Sequence, residues 1–217
     1  MKTDAVDYIL SSLLMMLLGA LSWGLAWWGS ALSRTYTGDY HVIVDLVVGL
    51  ASYGVFSALA VRTLFRLFPI QPGTYPMDSK IFTVWKLITV IYHFGQTALL
   101  PLTPIFLKPA VAALYGARMG KEVALGGMLD APFMISIGDR AVIGAFALVS
   151  ANFTSGESLI FGGVKIGNGA TVGVNSVVYP NTEIGDGAVL LGGSYLMPGS
   201  KIPAGETWRG NPARKWM

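Results

Sequence analysis

Few side chains in this sequence can take a proton near neutral pH. Histidine occurs twice, as His41 and His93, and cysteine does not occur. Without cysteine there are no disulfides, thiolate metal sites or cysteine nucleophile, and two histidines are too few for a three-histidine zinc centre. Within residues 150–163 (SANFTSGESLIFGG) the one titratable group is Glu157. It acts as a general base where burial raises its pKa and is otherwise a solvated loop acid. His93 interrupts a long apolar stretch, and there it reads either as a hydrogen-bonded structural residue or as a functional one.

The segment that carries Glu157 interrupts a repeat. Aliphatic or small residues recur every six positions in two registers. The first is Met119, Leu125, Ala131, Ile137, Ile143 and Val149; the second is Ile166, Val172, Val178, Ile184, Leu190, Leu196 and Ile202. A period of six fits neither a helix nor a hairpin ladder. It fits an all-β parallel β-helix, in which each hexad supplies one face of a triangular prism and its aliphatic residue fills the axis. Glycine directly follows many of these residues, as at Gly138, Gly144, Gly167, Gly173 and Gly185. There it is expected to provide both a permissive φ and close backbone approach. The frame slips once between Val149 and Ile166, so residues 150–163 are predicted to bulge from the prism as a loop, and loops on a rigid scaffold are where binding chemistry collects.

The first half of the chain has a different character. With 53% apolar and only 12% charged residues over 217 positions, the chain is too apolar for a soluble protein, and the excess lies before the repeat. Tyr8 to Ser33 carries no charge, long enough to cross a bilayer as one helix. A second span is predicted from about His41 to Val61, with Asp45 near one end, at an interface or paired with a neighbour. The polar link Arg34 to Tyr40 makes the two spans an antiparallel hairpin over residues 1–66. Arg62, Arg66 and Lys80 beyond the second span place the prism in the cytoplasm. Leu87 to Leu107, broken by His93, Gln96, Pro101 and Pro104, is expected to form short interfacial helices within a membrane-surface linker, 67–115. A third span there would move the prism to the other side. A net charge of +3 with scattered basic residues excludes a nucleic-acid footprint.

From about Gly116 to the end (116–217) the repeat, with the closing run Trp208-Arg209-Gly210-Asn211-Pro212-Ala213-Arg214, resembles the left-handed β-helix, or hexapeptide-repeat, acyltransferase family. Joined to an apolar first half, with Ile137-Gly138-Asp139 and Ile184-Gly185-Asp186 in place, it is similar to the membrane-linked hexapeptide region of poly-lysine-synthetase-type peptide synthetases. The resemblance implies a homotrimer that binds acetyl- or another acyl-coenzyme A between prisms and moves the acyl group to a hydroxyl or amine. With the membrane half it implies an acceptor that is a lipid-linked or envelope precursor, contact with membrane lipids, and a place in a larger membrane complex.

In that family a histidine on the inserted loop takes the acceptor's proton. Here the matching position falls on Ala151 or Asn152, neither of which can do so. The candidates for the catalytic position are therefore Asn152 itself, Glu157 and His93, unless a neutral amine acceptor needs little base. For the cofactor they are Asn175, where relatives carry a polar residue near the acyl donor, Trp208 in the tail motif, and Arg214 and Lys215 for the phosphates. The plainer readings are a corner asparagine, a cap over the prism end and a soluble terminus. The alternative function is a non-catalytic assembly subunit built on a trimeric prism that has lost its base.

Overall fold

The computed structural model describes residues 5–216; residues 1–4 and 217, the ends of the expected hairpin and tail, lie outside that range. The chain divides into two compact units. One is helical (to Pro69, and Lys80–Pro104); the other holds the repeat (Ile70–Ser79 and Ile105 onward).

In the helical unit, α1 (Ala5–Thr37) and α2 (His41–Leu67) are separated by a single 3-10 turn, Gly38–Tyr40. The chain reverses at Gly38, whose φ of +56° is the left-handed region glycine enters freely. Beyond the turn, Ser30 and Ser33 each donate to a different oxygen of Asp45 at 2.7 Å. Two hydroxyls thus hold a carboxylate that apolar surroundings would otherwise penalise. The face of α2 turned inward is built of small residues, Gly49, Ser52, Gly54, Ser57 and Ala58, which let helices approach closely. At Gly49 an added methyl would touch Trp23 and Ala26 of α1. The outward residues are large and apolar, among them Leu13, Leu17, Trp27, Trp28, Ile43 and Leu46. The helical stretch Ala5–Leu67 is long and apolar enough to cross a membrane.

The region expected to form short helices over 87–107 begins instead as one continuous helix, α3 (Lys80–Leu99), packed on α1 and α2. His93 does not interrupt it, because its Nδ1 lies 2.8 Å from the Thr89 carbonyl one turn back. The breaks fall later, where Pro101 sits inside the 3-10 turn Leu100–Leu102 and Pro104 precedes the next, Ile105–Leu107.

The second unit is a left-handed parallel β-helix with three parallel ladders. The second register holds throughout: Ile166, Ile184 and Ile202 stack in one ladder, Val172 and Leu190 in the next, Val178 and Leu196 in the third. All are buried. A short helix, α4 (Lys108–Leu114), covers the first coil by inserting Ala112 into the core, and Trp208 packs against the core at the other end.

Two expectations need correction. Ala131 is not on the axis. Leu129 lies under Val149, and Ala131, at φ +53°, starts the 3-10 turn Pro132–Met134 that carries the chain to the next coil. The glycines after the aliphatic residues also do only half of what was expected. None of Gly120, Gly138, Gly144, Gly167, Gly173 or Gly185 has a positive φ. They are needed for close approach: a methyl on Gly144 would stand 2.5 Å from Val174 N and 2.8 Å from the Gly173 carbonyl carbon in the next coil. The left-handed corner comes two residues later, at Gly169, Gly187 and Gly205 and also at Arg140, Phe146 and Asn175.

The predicted bulge is present, but it is a β-hairpin, Asn152–Ser155 and Ser158–Phe161, rather than an irregular loop. The strand Gly73–Pro76 pairs with its second arm and makes a three-stranded antiparallel sheet. Phe161 is fully buried, with Tyr75 edge-on to it at 6.0 Å.

Candidate functional site

Asp130 and Ser150 occupy the same register position on neighbouring coils, each directly after the core residue of its strand, Leu129 and Val149. Where the chain leaves the prism for the hairpin, Asn152 folds back over this pair. Its Nδ2 donates to Asp130 Oδ2 at 3.1 Å, and the Ser150 hydroxyl lies 3.0 Å from the same oxygen and 2.6 Å from the Asn152 carbonyl. Ser150 and Asn152 are almost completely buried, 4% and 6% exposed, and Asp130 is half-buried. One carboxylate oxygen therefore accepts the Asn152 amide N–H, and the single Ser150 proton is shared between that oxygen and the Asn152 carbonyl. The other, Oδ1, accepts no hydrogen bond among the described residues. A carboxylate fixed through one oxygen, with the second available, is an arrangement that can accept a proton.

Asn152 belongs to this cluster; the other sequence candidates are distributed elsewhere. Glu157 is exposed at the hairpin turn, where its backbone carbonyl receives the Met77 N–H at 3.0 Å. His93 is exposed on α3 of the helical unit, edge-on to Tyr92 at 5.3 Å. Asn175 occupies a corner at φ +55° and is exposed, its N–H held by Ala145 O at 3.1 Å.

Trp208, Arg214 and Lys215 meet in the terminal hairpin, Thr207–Gly210 with Ala213–Lys215. Glu206 organises two of them, Trp208 and Lys215. Lys215 Nζ donates to Oε1 at 2.7 Å and the Trp208 indole N–H to Oε2 at 2.9 Å. Those bonds, Lys215 first, hold the Glu206 carboxyl below the usual glutamate range. Arg214 bonds only the neighbouring Ala213 carbonyl, at 3.1 Å, and is exposed. Lys215 has a carboxylate partner and Arg214 does not.

Sequence reasoning missed Asp130. Placing Ala131 on the axis hid the fact that Asp130 follows a core residue as Ser150 does. Proline at 132, which starts a turn, was the available signal that the hexad count had slipped there.

Residues 163–198 match the family model for the bacterial transferase hexapeptide (six repeats). The prism is a hexapeptide-repeat domain. Beyond the matched coils, the chain is 25% identical over 204 residues, 82% of its length, to the delta-poly-L-ornithine synthetase of Acinetobacter baumannii, and it spans 15% of that protein. The solved structures it resembles include a hexapeptide-repeat acetyltransferase of Vibrio cholerae (20% identity, TM-score 0.44, 48% of this chain and 62% of that one). Another is a galactoside acetyltransferase in complex with coenzyme A (15% identity, TM-score 0.41, 76% of this chain and 82% of that one).

Proposed function

We propose that the chain is a membrane-anchored O- or N-acyltransferase that draws its acyl group from acetyl- or another acyl-coenzyme A and passes it to a lipid-linked or envelope precursor. The observation that carries the reading is the cluster of Asp130, Ser150 and Asn152 at the foot of the inserted hairpin, where the family resemblance calls for a base. When bound, acyl-coenzyme A would supply an acyl group already activated as a thioester, so the protein has only to position the acceptor and handle its proton. Asp130 Oδ1 would take the proton of the hydroxyl or amine as it bonds the acyl carbon and return it to the sulfur as the C–S bond breaks and coenzyme A leaves as the thiol. Asn152 holds Oδ2 through its amide N–H and, with the Ser150 hydroxyl beside the same oxygen, fixes the carboxylate plane.

The residues for the cofactor fit its chemistry. Arg214, exposed and without a carboxylate partner, offers a fork for phosphate oxygens. Lys215 adds a neighbouring positive charge while it positions Glu206, Trp208 presents a planar wall, and Asn175 offers an exposed amide at a corner of the prism. A second prism completes the groove. Support for a homotrimer comes from the outward residues of one ladder, Met128, Leu148, Val177 and Tyr195, which are all apolar, whereas another presents Arg118, Lys165, Glu183 and Lys201. Phe146, 83% exposed at a corner with φ +58°, adds to the apolar side.

The large apolar side chains facing outward from α1 and α2, over small ones facing inward, suit helices in lipid. With 33 and 27 residues the two helices reach about 50 and 40 Å, more than a hydrocarbon core of about 30 Å. Support for a cytoplasmic prism comes from Arg62 and Arg66 at the end of α2, provided that α1 and α2 alone cross the membrane; a crossing by α3, which packs on both, would put the prism on the other side. With α3 packed on α1 and α2, the parts of 67–115 left for the membrane surface are 67–79 and 100–115, where a lipid-borne acceptor and a larger membrane complex would be within reach.

Isothermal titration of the full chain in detergent with acetyl-coenzyme A tests the reading. Saturable binding that weakens on Arg214→Ala supports it, and no binding refutes it. One observation favours the non-catalytic alternative: residues 105–217 contain no histidine. Cofactor binding without transfer to any amine or hydroxyl would favour that subunit role.

A further inference from the structure

Residues 87–107 carry no charge apart from what His93 can take up, and a stretch of that length can cross a bilayer once. The folded chain uses it differently. The strand Gly73–Pro76, just before α3, pairs with Ser158–Phe161 of the prism's hairpin. Just after α3, Ile105–Leu107 packs on the strand Ala124–Leu125, and α4 inserts Ala112 into the prism core. Both flanks of α3 are thus built into one folded unit, and a folded β unit lies on one side of a bilayer. Within the helical unit α3 also stops short. Its second turn lies at the open end of the α1–α2 hairpin, where Lys86 pairs with Asp7 near the start of α1. Its last residue, Leu99, fills the space beside Gly54 where a methyl would stand, midway along α2 (His41–Leu67). Gly54 is about two turns of helix inside Arg62, roughly 12 Å, against a hydrocarbon core of about 30 Å.

Irregular backbone at that depth needs its polar groups satisfied, and Leu100–Pro104 suits the demand. Pro101 and Pro104 have no N–H to satisfy. Thr103 gives its N–H to the Leu100 carbonyl at 3.2 Å and its hydroxyl to the Leu99 carbonyl at 2.7 Å. The side chains left outside are apolar: Leu100 in the break, and Ile105 and Phe106, 67% and 74% exposed, after it. At up to about 3.4 Å per residue the break spans about 17 Å, enough to bring the chain back out. We infer that residues 80–107 form a re-entrant segment. In it α3 enters the bilayer from the side of the prism and ends near mid-depth, and the proline break returns the chain to the same side, with Leu100 and Phe106 against lipid acyl chains. The inference rests on the crossing of the membrane by α1 and α2 and goes beyond it: the Asp130 cluster then lies on the side of the membrane that carries the start of α1.

Because cysteine does not occur in the chain, single cysteines at exposed positions report topology directly. Asp39→Cys in the hairpin turn, Asp78→Cys before α3 and Ala110→Cys after it would be labelled with a membrane-impermeant maleimide in sealed right-side-out and inside-out vesicles. Asp78→Cys and Ala110→Cys are expected to label at least tenfold faster from one common side, and Asp39→Cys from the other. Asp78→Cys and Ala110→Cys labelling from opposite sides would overturn the inference while leaving the α1–α2 hairpin intact. Asp39→Cys labelling from the same side as Asp78→Cys would instead refute the crossing by α1 and α2, and the inference with it. For the lipid contact, Leu100→Cys and Phe106→Cys would carry bimane in liposomes of phosphatidylcholine and phosphatidylglycerol. Brominated acyl chains are expected to quench both at least twofold, and aqueous iodide to quench neither. The reverse pattern at either position would overturn the re-entrant path; Ile105→Cys replaces Phe106→Cys if that variant fails to fold.

Discussion

Replacing Gly144 with alanine separates two reasons a β-helix uses glycine. Gly144 is not in the left-handed region, so backbone conformation does not require glycine there. An added methyl would sit 2.5 Å from Val174 N and 2.8 Å from the Gly173 carbonyl carbon, about 1 Å inside ordinary contact with backbone that cannot rotate away. Both neighbours belong to the next coil, whose spacing of about 4.8 Å is set by the ladder hydrogen bonds. Relief therefore means separating two coils locally, which overpacking data put at about 1–3 kcal/mol; rigid backbone on the receiving side favours the upper end, about 3 kcal/mol. Gly205 is the opposite case. Its φ is +72° and nothing lies within 4 Å of an added methyl, so alanine there meets only the left-handed penalty of about 1–2 kcal/mol. For a chain of this size 1 kcal/mol moves the melting temperature by about 2–4 °C. Gly144→Ala should lower it by roughly 6–12 °C and Gly205→Ala by roughly 2–8 °C, read from the β-sheet circular dichroism of the full chain in detergent. A Gly144→Ala variant that melts at or above Gly205→Ala would refute the assignment of close approach to the first glycine and conformation to the second.

Other outcomes follow from the same geometry. Ile184→Ala removes a side chain stacked between Ile166 and Ile202 and should destabilise the prism by about 2–5 kcal/mol, measured by denaturant unfolding. Glu206 is held below its unfolded value of 4.5. The stability it gives the terminal hairpin is therefore present above that pH and is lost as pH falls through the lower folded value. Protection from hydrogen exchange across 207–215, relative to the intrinsic rate at each pH, should fall on acidification below about pH 4.5 in the wild type, with Glu206→Gln weakly protected at both pH values.

The second register was readable because each hexad between Ile166 and Ile202 has the same corner, so counting along the chain is the same as climbing the prism. Counting failed at Ala131, where the turn at Pro132–Met134 replaces a regular corner and the axis position falls to Leu129. That slip concealed Asp130, whose significance comes from Ser150 a coil away and from Asn152 folding back. No local pattern announces either relation. The hairpin was visible only as a break in frame, since its second arm pairs with Gly73–Pro76, far off in sequence and within a stretch read as linker. The cluster on Glu206 was half legible: Trp208, Arg214 and Lys215 stood out in the tail, but the carboxylate that orders two of them did not.

The most direct test of the central claim measures acyl transfer and cofactor affinity on the same samples. Wild type and Asp130→Asn, as full chains in detergent, would be assayed for coenzyme A thiol release from acetyl-coenzyme A with a panel of amine and hydroxyl acceptors. The account predicts acceptor-dependent release by the wild type. It predicts a fall of about 10²–10⁴-fold in Asp130→Asn, with affinity for acetyl-coenzyme A unchanged. Transfer by Asp130→Asn at the wild-type rate, or a wild type that neither binds nor turns over acetyl-coenzyme A, would contradict it.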